Sequence, residues 1–128
     1  MTQYFFIKNL HLLSSAIIII TVGLIYGLHP SLILPRLFDF EVENTHLKNI
    51  FRAIMGLYLA MGGLWLMGIK KSEFWRAVTL TNVVFVGGLA FGRIVSTIFD
   101  GFSLQFTIGL VAELLLMIWG IYNLKKFD

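Results

Sequence analysis

Four apolar stretches, each long enough to cross a bilayer as a helix, constrain this chain more than any other feature. They cover residues 10–28, 49–69, 77–96 and 104–122. A helix needs about 20 mainly apolar residues to span the hydrocarbon core. The sequence therefore predicts an all-α integral membrane protein, a four-helix bundle formed by a single domain over residues 1–128. The first stretch exceeds the apolar region of a cleaved signal peptide, so we expect it to be retained.

Composition and charge support a membrane location. Hydrophobic residues make up 58% of the chain and charged residues 13%, whereas soluble domains have roughly 45–50% apolar and about 25% charged residues. The chain has no cysteine, which excludes thiol chemistry. The formal net charge is +3, but the basic residues lie at span borders rather than in a patch. We therefore expect the lipid bilayer as a partner and no nucleic-acid partner.

The distribution of charge predicts the orientation of the spans. Acidic residues outnumber basic ones in the first and third connections. The border residues elsewhere are mainly basic, and they are Lys8, Lys70, Lys71, Arg76, Lys125 and Lys126. The positive-inside rule then places both termini and the 70–76 turn in the cytoplasm. Trp65, Trp75 and Trp119 fall near the same border and predict an aromatic belt at the inner interface.

The first connection, HPSLILPRLFDFEVENTHLK, differs from the two short ones. Pro30 and Pro35 bracket an apolar segment that is too short to span and too hydrophobic for a free loop. We predict a short interfacial segment in this outer loop, the alternative being an extension of span one past a proline kink. Asn44 or Thr45 can cap the second span. The histidines here lack tight metal-ligand spacing, and we expect no cofactor.

Small residues recur at the spacing of helix contacts. These pairs are Gly23–Gly27, Gly56–Ala60 and Gly88–Gly92. Small residues let helix backbones approach closely where water cannot drive association. We expect them to pack helices within one molecule, with a homo-oligomer as the alternative.

Three ionisable residues, Arg52, Arg93 and Glu113, lie inside apolar stretches. Such a residue costs about 2.5–3.5 kcal/mol on insertion scales, so it is either paired or used. Helical side chains lean towards their own N-terminus, which brings Arg93 and Glu113 together from antiparallel spans. We predict that they form a buried pair. Arg52 leans the other way, towards outer headgroups, a cavity mouth or Asp100.

Polar residues at helical spacing accompany these charges. The candidate ligand-binding residues are Asn49, Arg52, Arg93, Ser96, Asp100 and Glu113. Two arginines against one buried carboxylate leave positive charge suited to a lipid headgroup, an amphiphile or a small anion. The same pair is also consistent with a structural lock between helices, and Glu113 with a proton carrier. Asn82 is interpreted as an interhelical hydrogen bond and His11 as a border residue.

No nucleophile–base pair, phosphate-binding loop or nucleotide fingerprint occurs, and we do not expect an enzyme. The leading function is ligand binding in a polar pocket open to the outer side. One alternative is a non-catalytic accessory protein whose ion pair fixes helix packing. The other is a small proton-coupled transporter.

Nearly the whole chain resembles a known family. The features that carry the resemblance are the four spans, Glu113, and the motifs Asn49–Arg52–Gly56 and Gly92–Arg93 with Asp100–Gly101. They resemble a small bacterial four-helix membrane family catalogued as a domain of unknown function. At greater distance the chain is similar to DoxX-like membrane proteins, which also open a span with an arginine before a glycine-rich run. The resemblance implies a multi-pass protein of the bacterial inner membrane with no assigned activity.

Overall fold

The computed structural model describes residues 2–127, which form five α-helices and one short 3-10 turn. The helices are α1 Thr2–Gly27, α2 Pro30–Leu37, α3 Thr45–Lys70, α4 Trp75–Asp100 and α5 Leu104–Lys126, and the turn is Ser72–Phe74. These residues contain no β-strand, so the all-α prediction is confirmed. Helices α1, α3, α4 and α5 are long and apolar enough to cross a membrane, as the sequence predicts.

The helices extend beyond the apolar spans. Helix α1 begins at Thr2 instead of residue 10, and α4 continues to Asp100 instead of ending at residue 96. An apolar run marks the part of a helix that fits the hydrocarbon core. The backbone hydrogen bonds of the helix continue into the polar residues at its borders. Hydropathy therefore located the spans but underestimated the helix lengths.

The four long helices alternate in direction. Helix α1 packs mainly on α3, α4 packs mainly on α5, and contacts between α3 and α4 join the two pairs. The short connections between α3 and α4 and between α4 and α5 make each of these pairs antiparallel neighbours. We call the end where α1 and α4 begin the terminal end, and the opposite end, which carries α2, the α2 end. The cytoplasmic location of the terminal end stays a prediction.

Glycines bring α1 and α3 into close contact. A Cβ on Gly23 would lie 2.8 Å from the Cβ of Tyr58, and one on Gly27 would overlap the Met55 side chain. Only glycine leaves room for this approach. The expectation that the Gly23–Gly27 pair packs helices within one molecule is confirmed.

The other small-residue pairs lie on outer faces of the bundle. A Cβ added to Gly56, Gly88 or Gly92 would meet no atom within 4 Å. The prediction that these pairs pack helices within the molecule is therefore wrong. The spacing matched a helix contact, but spacing alone does not say which face of a helix a neighbour covers.

The first connection contains a separate helix, α2. The helical pattern breaks at Leu28 and His29, and Pro30 stands in the first turn of α2, where a missing backbone N–H costs little. Pro30 and Leu34 are buried, while Leu32 and Leu37 are exposed. The alternative in which this segment extends span one is wrong. The interfacial location of α2 stays a prediction.

Two of the three tryptophans lie inside the bundle. Trp65 and Trp75 are buried, and the Nζ atom of Lys8 lies 4.6 Å from the centroid of the Trp75 ring. Trp119 packs edge-on against the ring of His11. The predicted aromatic belt at the inner interface is therefore wrong for Trp65 and Trp75, whose indole rings fill wide spaces in the helical core.

Candidate functional site

The antiparallel packing of α4 on α5 brings Arg93 and Glu113 together. Arg93 Nε donates a hydrogen bond to Glu113 Oε1 at 2.8 Å, and this contact is also an ion pair. The side chains are 19% and 11% exposed, respectively. The predicted pairing is confirmed. Each charge neutralises the other inside an otherwise apolar bundle, as intramembrane charges generally require.

Two tyrosines extend this pair across the bundle. Tyr26 of α1 and Tyr58 of α3 are both buried, and their ring centroids lie 6.0 Å apart. Both tyrosines line the same interior space as Arg93 and Glu113. The charged pair of α4 and α5 therefore faces phenol groups carried by α1 and α3.

A cavity of about 270 Å³ lies between the four long helices. Its wall is mainly aliphatic and aromatic, with Arg93 and Glu113 as its charged members. Tyr26 and Tyr58 line it near the pair, and Ser15 and Trp65 line it towards the terminal end. The site is therefore an apolar chamber with one charged wall, which differs from the predicted polar pocket.

Aromatic rings pack around the cavity at the α2 end. Phe38, just after α2, stacks on Phe106 with ring centroids 5.0 Å apart and an interplanar angle of 6°. Phe38 also contacts Tyr26, with centroids 6.1 Å apart. The guanidinium carbon of Arg93 lies 5.3 Å from the centroid of Phe106, a cation–π distance. The segment after α2 thus supplies one wall of the site.

A second, polar recess of about 250 Å³ adjoins the cavity at the α2 end. Four hydroxyl-bearing residues line it, and they are Ser96, Thr97, Ser103 and Thr107. Arg93 and Phe106 line both this recess and the apolar cavity. These two side chains therefore form the boundary between an apolar space and a hydroxyl-rich one.

The cavity also meets the outer surface of the bundle between α1 and α5. Ile18 of α1 and Ile108 of α5 line the cavity, yet they are 44% and 64% exposed. Ile108 and Ala112 line the cavity and also a shallow apolar groove on the outside of α5. The described ring contacts between α1 and its α5 neighbours lie nearer the terminal end, at Tyr4 and His11. We call the stretch between Ile18 and Ile108, where cavity-lining side chains are exposed on the outer surface, the lateral opening.

Arg52 occupies a different position from the one predicted. Its Nη1 atom donates to the carbonyl oxygens of Gly27 at 2.9 Å and Leu28 at 3.3 Å, at the C-terminus of α1. The expectation that Arg52 faces the cavity mouth or Asp100 is wrong, because the unpaired carbonyls of a helix end attract a cation. Asn49 is exposed on α3 and lines none of the described cavities.

Ser96 and Asp100 form a local pair at the end of α4. The Ser96 hydroxyl donates to Asp100 Oδ2 at 3.0 Å, and both residues are exposed. Ser96 lines the polar recess, whereas Asp100 is absent from its wall. The structure thus groups Arg93, Glu113 and Ser96, and it separates Asn49 and Arg52 from them.

No group of three or more histidine, aspartate or glutamate side chains within residues 2–127 is close enough together to hold a metal ion. His29 contacts only its neighbour Ser31 among the described side-chain hydrogen bonds, at 3.5 Å. His46 contributes its backbone N–H to Asn44.

Residues 7–124 match the family described as a domain of unknown function (DUF4345). The chain belongs to this family. No curated protein and no solved structure matches it. The resemblance stated from the sequence motifs is confirmed for this family, while the more distant likeness to DoxX-like proteins stays a prediction. Family membership supports the architecture and assigns no activity.

Sequence reasoning missed a second group of buried polar residues. His11 is fully buried, and its Nε2 bonds to the carbonyl oxygen of Leu116 at 2.9 Å, so its interpretation as a border residue is wrong. Asn82 is also fully buried, and neither atom of its amide has a hydrogen-bond partner in the described chain. The interhelical hydrogen bond expected of Asn82 is therefore wrong. The i, i+4 spacing of His11 and Ser15 on α1 was the available signal.

Proposed function

We propose that this protein binds a lipid-derived amphiphile, with the apolar part in the cavity and an oxygen-bearing head at Arg93. The observation that carries the proposal is the position of Arg93, which lines both the apolar cavity and the hydroxyl-rich recess. A molecule that occupies both spaces has an apolar end and a polar end. We propose binding without chemical conversion of the ligand.

The size and lining of the cavity suit an apolar group. An engineered apolar cavity of about 150 Å³ holds benzene, and small-molecule sites usually start near 300 Å³. At about 270 Å³ this cavity has room for more than one aromatic ring, or for a segment of an acyl chain. Transfer of apolar surface into such a site is favourable at about 25 cal/mol per Å².

The recess suits an acceptor-rich head such as a phosphate or carboxylate. Arg93 carries five N–H donors, and its hydrogen bond to Glu113 uses Nε. Guanidinium groups bind phosphate and carboxylate through charge-assisted hydrogen bonds. The recess also adjoins the N-terminus of α5, capped by Ser103, where backbone N–H groups favour negative charge.

The lateral opening supports entry from the membrane. Ile18 and Ile108 border it, and both are exposed on the outer surface of helices apolar enough to lie in lipid. An amphiphile dissolved in the bilayer reaches the cavity there without crossing water. We propose a location in the bacterial inner membrane, and the charge distribution supports an orientation with the α2 end outside. The ligand would then come from the outer leaflet.

A cavity-filling variant tests the proposal. Ala112 lines the cavity, whereas Ala60 is exposed on α3 and lines no described cavity, which makes Ala112→Phe and Ala60→Phe a matched pair. Purified protein in detergent is irradiated with a fatty acid that carries a diazirine in its chain, and the adduct is located by peptide mass spectrometry. We expect crosslinks to cavity-lining peptides in the wild type and in Ala60→Phe, with at least a tenfold loss in Ala112→Phe.

Equal labelling of the two variants, or labelling confined to outer helix faces, would contradict the proposal. The rival role as a helix lock is favoured by the 2.8 Å pair between α4 and α5. Under that role Glu113→Gln lowers the unfolding temperature but leaves probe binding unchanged. Under the binding proposal, a change of head group from carboxylate to amide weakens labelling in the wild type.

A further inference from the structure

A second set of polar groups lies in the core on the terminal side of the cavity. Atoms of these side chains are buried and have no hydrogen-bond partner in the described chain, and the residues are Asn9, His11, Ser15, Trp65, Trp75, Thr79, Asn82 and Asn123. Within residues 2–127, nine such atoms occur. Native structures hold few unpaired buried polar groups, and those present usually bond to ordered water or a ligand.

The helix register places members of this set at the same level of the core. Lys8 lies over Trp75 near the terminal end, and Tyr26 and Arg93 line the same cavity near the α2 end. In both pairs the α4 residue follows the α1 residue by the same number of positions in the sequence. Helices α1 and α4 therefore run parallel and keep one register between the two pairs.

Ser15 of α1 and Asn82 of α4 have that same offset. This register places them at the same level of the core, and both are buried. Thr79 lies one turn before Asn82 on the same face of α4 and is also buried.

Helix α5 adds another member at this level. A Cβ on Gly120 would lie 2.6 Å from Val83 Cγ2, so the Gly120 turn of α5 packs on the Asn82 turn of α4. Asn123 is one turn further along the same face of α5 and is buried. We call Ser15, Thr79, Asn82 and Asn123 the polar layer.

His11 adjoins the polar layer and has one free acceptor. A carbonyl oxygen only accepts, so the bond to Leu116 makes Nε2 the donor and leaves Nδ1 as an acceptor. Nδ1 is buried without a partner in the described chain. The Gly120 position lies against the same ring, 3.1 Å from Nε2 to a Cβ placed there.

The polar layer meets the cavity at Ser15. Ser15 lines the cavity and belongs to the layer, and Trp65 lines the cavity with its own indole N–H unpaired. The layer carries hydroxyl and amide groups and no ionised side chain. Neutral donors and acceptors of this kind hold an uncharged oxygen-bearing group rather than an ion.

We propose that the polar layer is a second binding site, one for neutral oxygen-bearing groups that donate and accept hydrogen bonds. The group is either a set of ordered water molecules or the uncharged far end of a molecule that fills the cavity. Occupation by water does not depend on the proposed amphiphile, whereas occupation by the far end of a bound molecule rests on the proposed function.

Replacement of Asn82 by leucine of similar size tests whether the layer is occupied. In an occupied layer, Asn82→Leu removes hydrogen bonds to the occupant and lowers the unfolding temperature by about 4 °C or more. In an empty layer, the same change removes an unpaired buried amide and raises that temperature. Asn49→Leu, at an exposed asparagine of α3, is the matched control for adding leucine to a helix.

X-ray radiolysis of the wild type in detergent identifies the source. Radicals formed from bound water oxidise adjacent side chains, so water predicts modification of His11 and Trp65 that is lost in Asn82→Leu. The far end of an amphiphile predicts instead that native mass spectrometry detects a bound mass in the wild type and not in Asn82→Leu.

Asn82-dependent oxidation or an Asn82-dependent bound mass supports the proposal. A higher unfolding temperature of Asn82→Leu, with neither of these two results, overturns it. Failure of the proposed function can be told apart from failure of this proposal. If only the proposed function is wrong, the Ala112-dependent crosslink is not observed, while the radiolysis pattern of the wild type still is.

Discussion

The Arg93–Glu113 ion pair allows a quantitative test by a double-mutant cycle. Glu113→Gln keeps an oxygen acceptor for Arg93 Nε while removing the negative charge, and Arg93→Gln removes the positive one. Each single variant leaves one charge without its partner inside a membrane span. The double variant leaves none.

The magnitudes follow from depth and exposure. An unpaired arginine at membrane depth costs about 2.5–3.5 kcal/mol on insertion scales. The side chains are 19% and 11% exposed, so part of that cost is relieved by solvent or headgroups. We expect each single change to lower the free energy of unfolding by about 2 kcal/mol. The double variant should recover part of this loss, giving a coupling energy of about 1–2 kcal/mol.

Denaturant unfolding in detergent micelles, followed by tryptophan fluorescence, measures all four corners of the cycle. Arg36→Gln, at an exposed arginine of α2, is the control and should change the free energy of unfolding by less than about 0.5 kcal/mol. Additive single effects, with coupling below about 0.5 kcal/mol, would refute the reasoning. That result would mean the two charges are solvated separately in the folded protein.

Three further variants test the packing around the site. Gly27→Ala forces its new Cβ against Met55 and should cost about 1–3 kcal/mol in unfolding free energy, whereas Gly92→Ala, with no atom within 4 Å, should be near neutral; equal effects in thermal unfolding would contradict the α1–α3 packing. Arg52→Gln removes the cation from the end of α1, and it should lower the free energy of unfolding by about 0.3–1 kcal/mol and speed amide exchange near Gly27. Unchanged exchange near Gly27 would contradict this role of Arg52. Asn44→Ala removes the cap of α3 and should cost about 1 kcal/mol, while Asn44→Asp retains it; a similar loss in both would show that the side-chain bonds contribute nothing.

The sequence predicted the helices and the central ion pair for clear physical reasons. Membrane spans can be recognised from their length and hydropathy, since every backbone polar group in the hydrocarbon core must be hydrogen-bonded within the helix. The direction in which helical side chains lean was enough to pair Arg93 with Glu113. The predicted cap at Asn44 is confirmed, with Asn44 Oδ1 accepting from the backbone N–H of His46 at 2.7 Å.

The remaining features depend on which face of each helix meets a neighbour. Arg52 lies in an apolar stretch like Arg93, but the end of α1 lies beside it and its carbonyl oxygens accept hydrogen bonds from the guanidinium. Gly88 and Gly92 repeat the spacing of Gly23 and Gly27, yet only the second pair faces a helix. Spacing within one helix carries no information on rotation about its axis, so these outcomes needed coordinates.

The lateral opening lies between the first and last of the four long helices, and within residues 2–127 no loop ties α1 directly to α5. Widening it therefore stretches no covalent linkage. The short Ser72–Phe74 turn joins α3 to α4 on the far side and can serve as a hinge. We therefore expect the α1–α3 and α4–α5 pairs to separate at this opening more readily than at the α3–α4 contact, and that separation requires the Phe38–Phe106 stack to open.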